Sequence, residues 1–96
     1  MTAAADPGYD GGMSLEQITT FVTVARTGSV MRAASELHLT QPPLSRRIRS
    51  LEDELDVKLF VREARGMRLT EAGRQFLPHA EAVLRALEDG VRSLRD

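Results

Sequence analysis

Gln41, Ser45, Arg46 and Arg49 are the residues of this 96-residue chain best suited to chemistry with a polyanion, because they lie close together in a stretch where no acid opposes them. From Leu37 to Leu51 there is no Asp or Glu, and the same segment holds Arg46, Arg47 and Arg49. With Gln41 at zero and about 100° per residue, Gln41, Pro42, Ser45, Arg46 and Arg49 share one side of a helix, and Leu44, Ile48, Leu51 and Leu55 cluster on the other. The polar side splits lengthwise: its start is basic and hydrogen-bonding, whereas its end carries Glu52, Asp53 and Asp56. An anion is therefore expected at the N-terminal end, which the helix macrodipole also favours. Side chains of these types match base edges and phosphates. Gln41 suits adenine, Arg46 and Arg49 suit guanine or phosphate, Ser45 suits phosphate or base, and Pro42 suits a thymine methyl. On charge alone the same arginines fit an ordinary solvated helix face, so the elements that carry them must decide.

Other chemistries find little support. His38 and His79 stand alone, without a second His or a carboxylate at metal-ligand spacing, and fit surface or capping roles. Ser45 has no general base nearby, and Gly11-Gly12 does not join a strand to a helix as a phosphate loop would. With no cysteine there is no disulfide, thiolate zinc site or thiol nucleophile. We expect no enzyme activity, no cofactor and no metal.

The chain has 13 Lys+Arg against 14 Asp+Glu, a formal net charge of -1, so a uniformly basic nucleic-acid binder is excluded and the distribution matters. Residues 29–69 hold seven Arg and one Lys against six acids, a local net of +2. A single domain of this length buries only about 60% of its unfolded surface, so its core must be tightly patterned or completed by a partner chain. No apolar run approaches the roughly 18 residues of a membrane helix, and the start lacks a secretory pattern. A cytoplasmic protein with no membrane partner is the expectation.

Residues 1–12 mix Gly, Asp and Pro without a period and predict a flexible leader. Ser14 precedes Leu15, Ile18, Phe21, Val22 and Ala25 at helical spacing, with Gln17 to close a capping box; this helix runs to about Arg26 and stops near Gly28. Ser29 caps a short second helix through Val30, Ala33, Ala34 and Leu37. Thr40 is expected to cap a third, which opens Gln41-Pro42-Pro43. Val57, Leu59 and Val61 then alternate with Lys58, Phe60 and Arg62, and Ala64-Arg65-Gly66 reads as the turn of a two-stranded hairpin, with Phe60 and Met67 in its core. Thr70 caps a long helix in which Leu77, Ala80, Leu84, Leu87, Val91 and Leu94 alternate at steps of three and four, a coiled-coil seam too narrow for a buried helix. Pro78 should kink it near its first turns, and Arg74, Arg85, Arg92 and Arg95 read as its solvated charges.

The predicted fold is mainly α: a winged helix-turn-helix of three helices plus a two-stranded wing over residues 13–70, then a linker and dimerisation helix over residues 71–96. In that plan the third helix enters a major groove. Some winged helices bind only proteins, so a protein-interaction or dimerisation module that does not itself bind DNA is the alternative.

The stretch from Leu15 to Leu69 with the following TEAGRQFLPHA, and within it GS..RAAS.L, QPPLSRRI..LE.EL and LF.R..RG..LTEAG, strongly resembles the DNA-binding domain of LysR-type transcriptional regulators. The resemblance implies that residues matching Gln41, Pro42, Pro43, Ser45 and Arg46 face the major groove. It implies further that the wing arginine matching Arg65 reaches the adjacent minor groove, and that the helix matching residues 71–94 pairs two subunits antiparallel. The expected DNA-binding set is thus Ser29, Thr40, Gln41, Pro42, Pro43, Ser45, Arg46, Arg49, Arg62 and Arg65, on an imperfect inverted repeat of double-stranded DNA. The expected dimerisation set is Leu77, Ala80, Leu84, Leu87, Val91 and Leu94. Asp56 stands where the family usually ends the third helix with Gly, and Val30 and Met31 replace a commoner aromatic and Ser/Thr. Family members also carry a C-terminal domain that senses a small inducer. We expect this sequence to be a DNA-binding fragment without that domain or an inducer site, with a naturally short regulator as the alternative.

Overall fold

The computed structural model describes residues 12–95, so the leader expected over residues 1–12 lies, apart from Gly12, outside the described residues. Among these residues the order is α1 (Leu15–Thr27), α2 (Val30–Glu36), α3 (Gln41–Leu55), β1 (Phe60–Glu63), β2 (Gly66–Leu69) and α4 (Glu71–Ser93). The mainly helical winged helix-turn-helix order predicted from the sequence is the order found.

Local chemistry sets most of the boundaries. The Gln17 N–H donates to Ser14 Oγ at 3.1 Å and the Ser14 N–H donates to Gln17 Oε1 at 2.7 Å, which closes the capping box at the start of α1. Gly28 ends that helix at φ 70°, and its N–H donates to the Val24 carbonyl at 2.8 Å. Ser29 Oγ then accepts from the Arg32 N–H at 3.1 Å to start α2.

Thr40 departs from expectation. It holds the cap position of α3, yet its side chain makes no capping hydrogen bond. A cap side chain accepts from the second or third helical N–H, and here those residues are Pro42 and Pro43, which have none. At the other end Asp56 adopts the left-handed conformation at φ 58°, ψ 36°, the role for which the family pattern uses glycine.

Phe21 lies at the centre of the core, fully buried, with its ring 5.5 Å from Phe60 and 5.4 Å from Phe76 in tilted geometry. The three phenylalanines of the chain thus tie α1, β1 and α4 together. Around them pack Ile18 and Val24 of α1, Ala33 and Ala34 of α2, Leu44, Ile48 and Leu51 of α3, and Leu59. The small Ala33–Ala34 pair lets α2 sit close against its neighbours.

In the wing, Phe60 pairs with Leu69, Val61 with Arg68, Arg62 with Met67 and Glu63 with Gly66, joined by a turn at Ala64-Arg65. Phe60, expected in the hairpin core, is buried there, and Met67 is half-buried. Leu59 and Phe60 are both buried, whereas Val57 and Val61 are exposed. Leu59 precedes the strand and its backbone is held by bonds to other elements, described below, so burial does not alternate between Leu59 and Phe60. Within the strand, Phe60 and Arg62 share the face turned toward the helices.

The wing is also tied to the α1–α2 turn, since the Met67 N–H donates to the Gly28 carbonyl at 3.1 Å. Gly66, at φ 139°, permits this approach: a Cβ there would collide with the Gly28 carbonyl oxygen. Gly66→Ala is therefore expected to lose at least about 2 kcal/mol of stability, from strained backbone and backbone clash together. Urea unfolding measures it, and a loss under about 0.5 kcal/mol, an ordinary surface value, would show that the wing does not need this contact.

Helix α4 runs through Pro78, and its amphipathic stripe divides. Ala80 is only 2% exposed and Leu77 and Leu84 are half-buried, all packed against the chain's own core. The expectation that one continuous seam would be left uncovered is corrected for these three residues, because α1 lies across the first half of α4. Beyond it Leu87, Val91 and Leu94 are exposed.

Candidate nucleic-acid interface

The 15-residue α3 spans about 22 Å at 1.5 Å per residue, and its apolar arc of Leu44, Ile48 and Leu51 is buried against α1 and α2. The opposite arc is therefore presented outward: Gln41, Pro42, Arg46 and Arg49 are exposed, and Ser45 and Pro43, nearer the margin, are half-buried. No acid lies in the first turn, so the positive end of the helix dipole is unopposed there.

Ion pairing separates the bases into two groups. Arg26 pairs with Glu36 at 2.6 Å, Arg47 with Glu16 at 4.0 Å, Lys58 with Glu52 at 3.9 Å, Arg68 with Glu63 at 2.6 Å and Arg92 with Asp89 at 3.3 Å. Among the described residues, Arg32, Arg46, Arg49, Arg62, Arg65, Arg74, Arg85 and Arg95 are exposed and make no ion pair within the chain, and of these Arg46 and Arg49 lie on α3 and Arg62 and Arg65 on the wing. Arg47, grouped with Arg46 and Arg49 by sequence, is half-buried and engaged with α1. The acid-free window thus contains two kinds of arginine.

The wing brings Arg62 to α3. A cleft of about 120 Å³ is lined by Ser45, Ile48, Arg49 and Glu52 of α3 together with Val30, Arg62 and Met67. Arg65 lies at the exposed hairpin tip. The remaining predicted contacts are less open or carry other duties: Ser29 is half-buried and caps α2, whereas Thr40 is exposed at the head of α3.

Glu52 is a correction and a residue the sequence reading missed. It was expected on the acidic, solvated end of α3, yet it is only 8% exposed. Its Oε2 accepts from the Leu59 N–H at 2.7 Å and the Phe60 N–H at 3.3 Å. One feature could have exposed it: at i+4 from Ile48 it lies only about 40° from that buried position on the helical wheel.

On the other side of the molecule, a groove of about 270 Å³ between α1 and α4 is lined mainly by Met13, Leu15, Ile18, Phe76, Ala80 and Val83. Leu15 and Val83 are about half exposed and extend the exposed stripe of Leu87 and Val91. Val83, four residues before Leu87, was not anticipated, because the heptad pattern assigned that turn to Leu84.

His38, at φ 58°, and His79 are both exposed, and among the described residues no three His, Asp or Glu converge as metal ligands would. No helix among them is long and apolar enough to cross a membrane.

Several proteins similar to this chain bear the names of transcriptional regulators. The family model described as bacterial regulatory helix-turn-helix protein, lysR family, matches residues 15–74. An HTH-type transcriptional regulator from the ibpB-leuC intergenic region of Azotobacter vinelandii is 50% identical over 84 residues, 88% of this chain and 58% of its own length. PcaQ of Agrobacterium fabrum, also an HTH-type transcriptional regulator, is 46% identical over 85 residues, 88% of this chain but 27% of PcaQ. The chain therefore spans between about a quarter and three fifths of these relatives. Among solved structures, the CbnR DBD–DNA complex superposes with a TM-score of 0.78 at 40% identity, covering 86% of this chain and 97% of that one. The BenM DBD complex with catB site 1 DNA gives 0.82 at 35% identity, covering 86% and 93%. By sequence over most of its length and by the placement of its third helix and wing, this chain belongs to the lysR family of bacterial regulatory helix-turn-helix proteins.

Proposed function

We propose that this chain is the DNA-reading and pairing part of a bacterial transcriptional regulator, and that it acts on double-stranded DNA in the cytoplasm without catalysing a reaction. The observation that carries this reading is the set of four exposed, unpaired arginines gathered on α3 and the wing. Guanidinium groups left without an internal carboxylate are available to phosphates and guanine edges. The likeness to CbnR and BenM fragments in DNA complexes supports the same orientation.

Within residues 13–70, α3 enters the major groove with Gln41, Pro42, Pro43, Ser45 and Arg46 against bases, and Ser29, Thr40, Arg49 and Arg62 serve phosphates. Arg65 enters the minor groove beside it. Residues 71–96 pair two copies, so that two α3 helices meet an inverted repeat. The paired surface is Leu87, Val91 and Leu94 with Val83 and Leu15, exposed apolar side chains on one side of the molecule.

Binding-site selection followed by titration at several salt concentrations tests this. A selected inverted repeat whose affinity falls linearly in log–log with salt is the expected result. Heterodimerisation with a full-length regulator and no DNA shift would instead favour the protein-interaction module.

The wing has its own test. An arginine suits a narrow A·T-rich minor groove, whose negative potential is enhanced. Replacing the flanking A·T pairs by G·C is expected to weaken the wild type more than Arg65→Ala. Equal weakening of both would refute the insertion.

A further inference from the structure

We propose that Glu52 is a positioning residue that sets the wing against α3, so that the major-groove and minor-groove contacts are made in one register; this rests on the DNA-binding reading above. Glu52 projects from α3, and its Oε2 holds the Leu59 and Phe60 amides at 2.7 and 3.3 Å. Leu59 immediately precedes β1 and Phe60 is its first residue, so the carboxylate grips the ribbon at its base. Arg62 lies two residues along the same strand, and Arg65 lies at the tip beyond it.

Lys58 adds an ion pair to Glu52 Oε1 at 3.9 Å, and the other hydrogen bonds of the ribbon lead elsewhere. The Met67 N–H bonds the α1–α2 turn at Gly28, and Thr70, at the head of α4, donates its N–H to the Leu59 carbonyl at 3.0 Å and its hydroxyl to the Lys58 carbonyl at 2.6 Å. Among the described residues, the hydrogen bonds of Glu52 are the only ones between α3 and the segment that carries the wing arginines.

A buried carboxylate that accepts from two successive amides, one of them at 2.7 Å, is a strong, directional link. The same residue also faces the cleft shared by Arg49 and Arg62. Loosening this link leaves the ribbon attached to α1 and α4 but lets its tip shift relative to α3. A displacement of the tip would forfeit the Arg65 contact while α3 still reads its bases.

Two variants test the inference. Glu52→Gln keeps the volume but weakens the acceptor, and Glu52→Asp keeps the charge but shortens the reach. Each is titrated on operators with A·T-rich and G·C-rich flanks, alone and combined with Arg65→Ala, with circular dichroism and amide hydrogen exchange alongside. We expect retained helical content, faster exchange at Leu59 and Phe60, and about tenfold weaker binding to the A·T-flanked operator, a difference of about 1.4 kcal/mol. In the Arg65→Ala background the further loss should be small, because both changes remove the same contact.

An equal loss on both flanks and in both backgrounds, or no loss at all, overturns the inference while leaving the DNA reading intact. Collapse of helical content in both variants does so too, since Glu52 would then serve stability alone. If the wild type selects no operator, the DNA reading itself falls, and this inference with it.

Discussion

Replacing Leu87 and Val91 together by Asp is expected to leave the chain folded but monomeric, and to remove most of its affinity for a full inverted repeat. Both residues are nearly half exposed, at 49% and 47%, and neither belongs to the core, so the substitution costs the isolated fold little. In a symmetric pair the same change places four carboxylates at an apolar seam, where uncompensated burial of each charge costs several kcal/mol. Losing the pair removes the second half-site's effective concentration, and avidity of this kind is worth about 10² to 10⁴ in affinity. Sedimentation velocity, far-ultraviolet circular dichroism and titration of full and half operators give the three readouts. A variant that still sediments as a dimer, or binds the full operator like the wild type, would place the pairing surface elsewhere. Leu84→Asp is the contrasting case. Leu84 packs on the chain's own core, so its replacement should lower unfolding stability directly and would not separate pairing from folding.

Arg46→Ala is expected to lower operator affinity by about 1–3 kcal/mol and to relax base preference at one position. Arg46 is exposed and makes no ion pair among the described residues, so its thermal stability should stay within about 0.5 kcal/mol of the wild type. The matched control is Arg47→Ala. Arg47 is half-buried and lies 4.0 Å from Glu16, so its loss should affect DNA less. Titration against an operator set varied one base pair at a time decides the role. A uniform loss across all sequences would make Arg46 a phosphate contact, and unchanged affinity would remove it from the interface.

The sequence alone determined what is set by near neighbours in the chain. Ser14 with Gln17, Gly28, Ser29 and Thr70 mark helix ends through bonds spanning three or four residues, so their positions can be read without a fold. The outward face of α3 follows from helical periodicity, because Leu44, Ile48 and Leu51 must be buried together whatever covers them. Local chemistry misleads only where a neighbour changes the rule, as at Thr40, whose cap partners are prolines.

The tertiary structure decided everything that depends on which segments meet. Glu52 looks solvated until the wing passes over it and offers two amides. Arg46 and Arg47 are neighbours in the acid-free window, and although helical periodicity already turns Arg47 toward the apolar arc, only the fold sets Glu16 of α1 beside it. The α4 stripe has a single period along its length, yet α1 covers Ala80 and leaves Leu87 and Val91 open. Periodicity reports that a face is apolar, while what buries it is set by the crossing of two helices distant in the chain, and that information lies in neither helix alone.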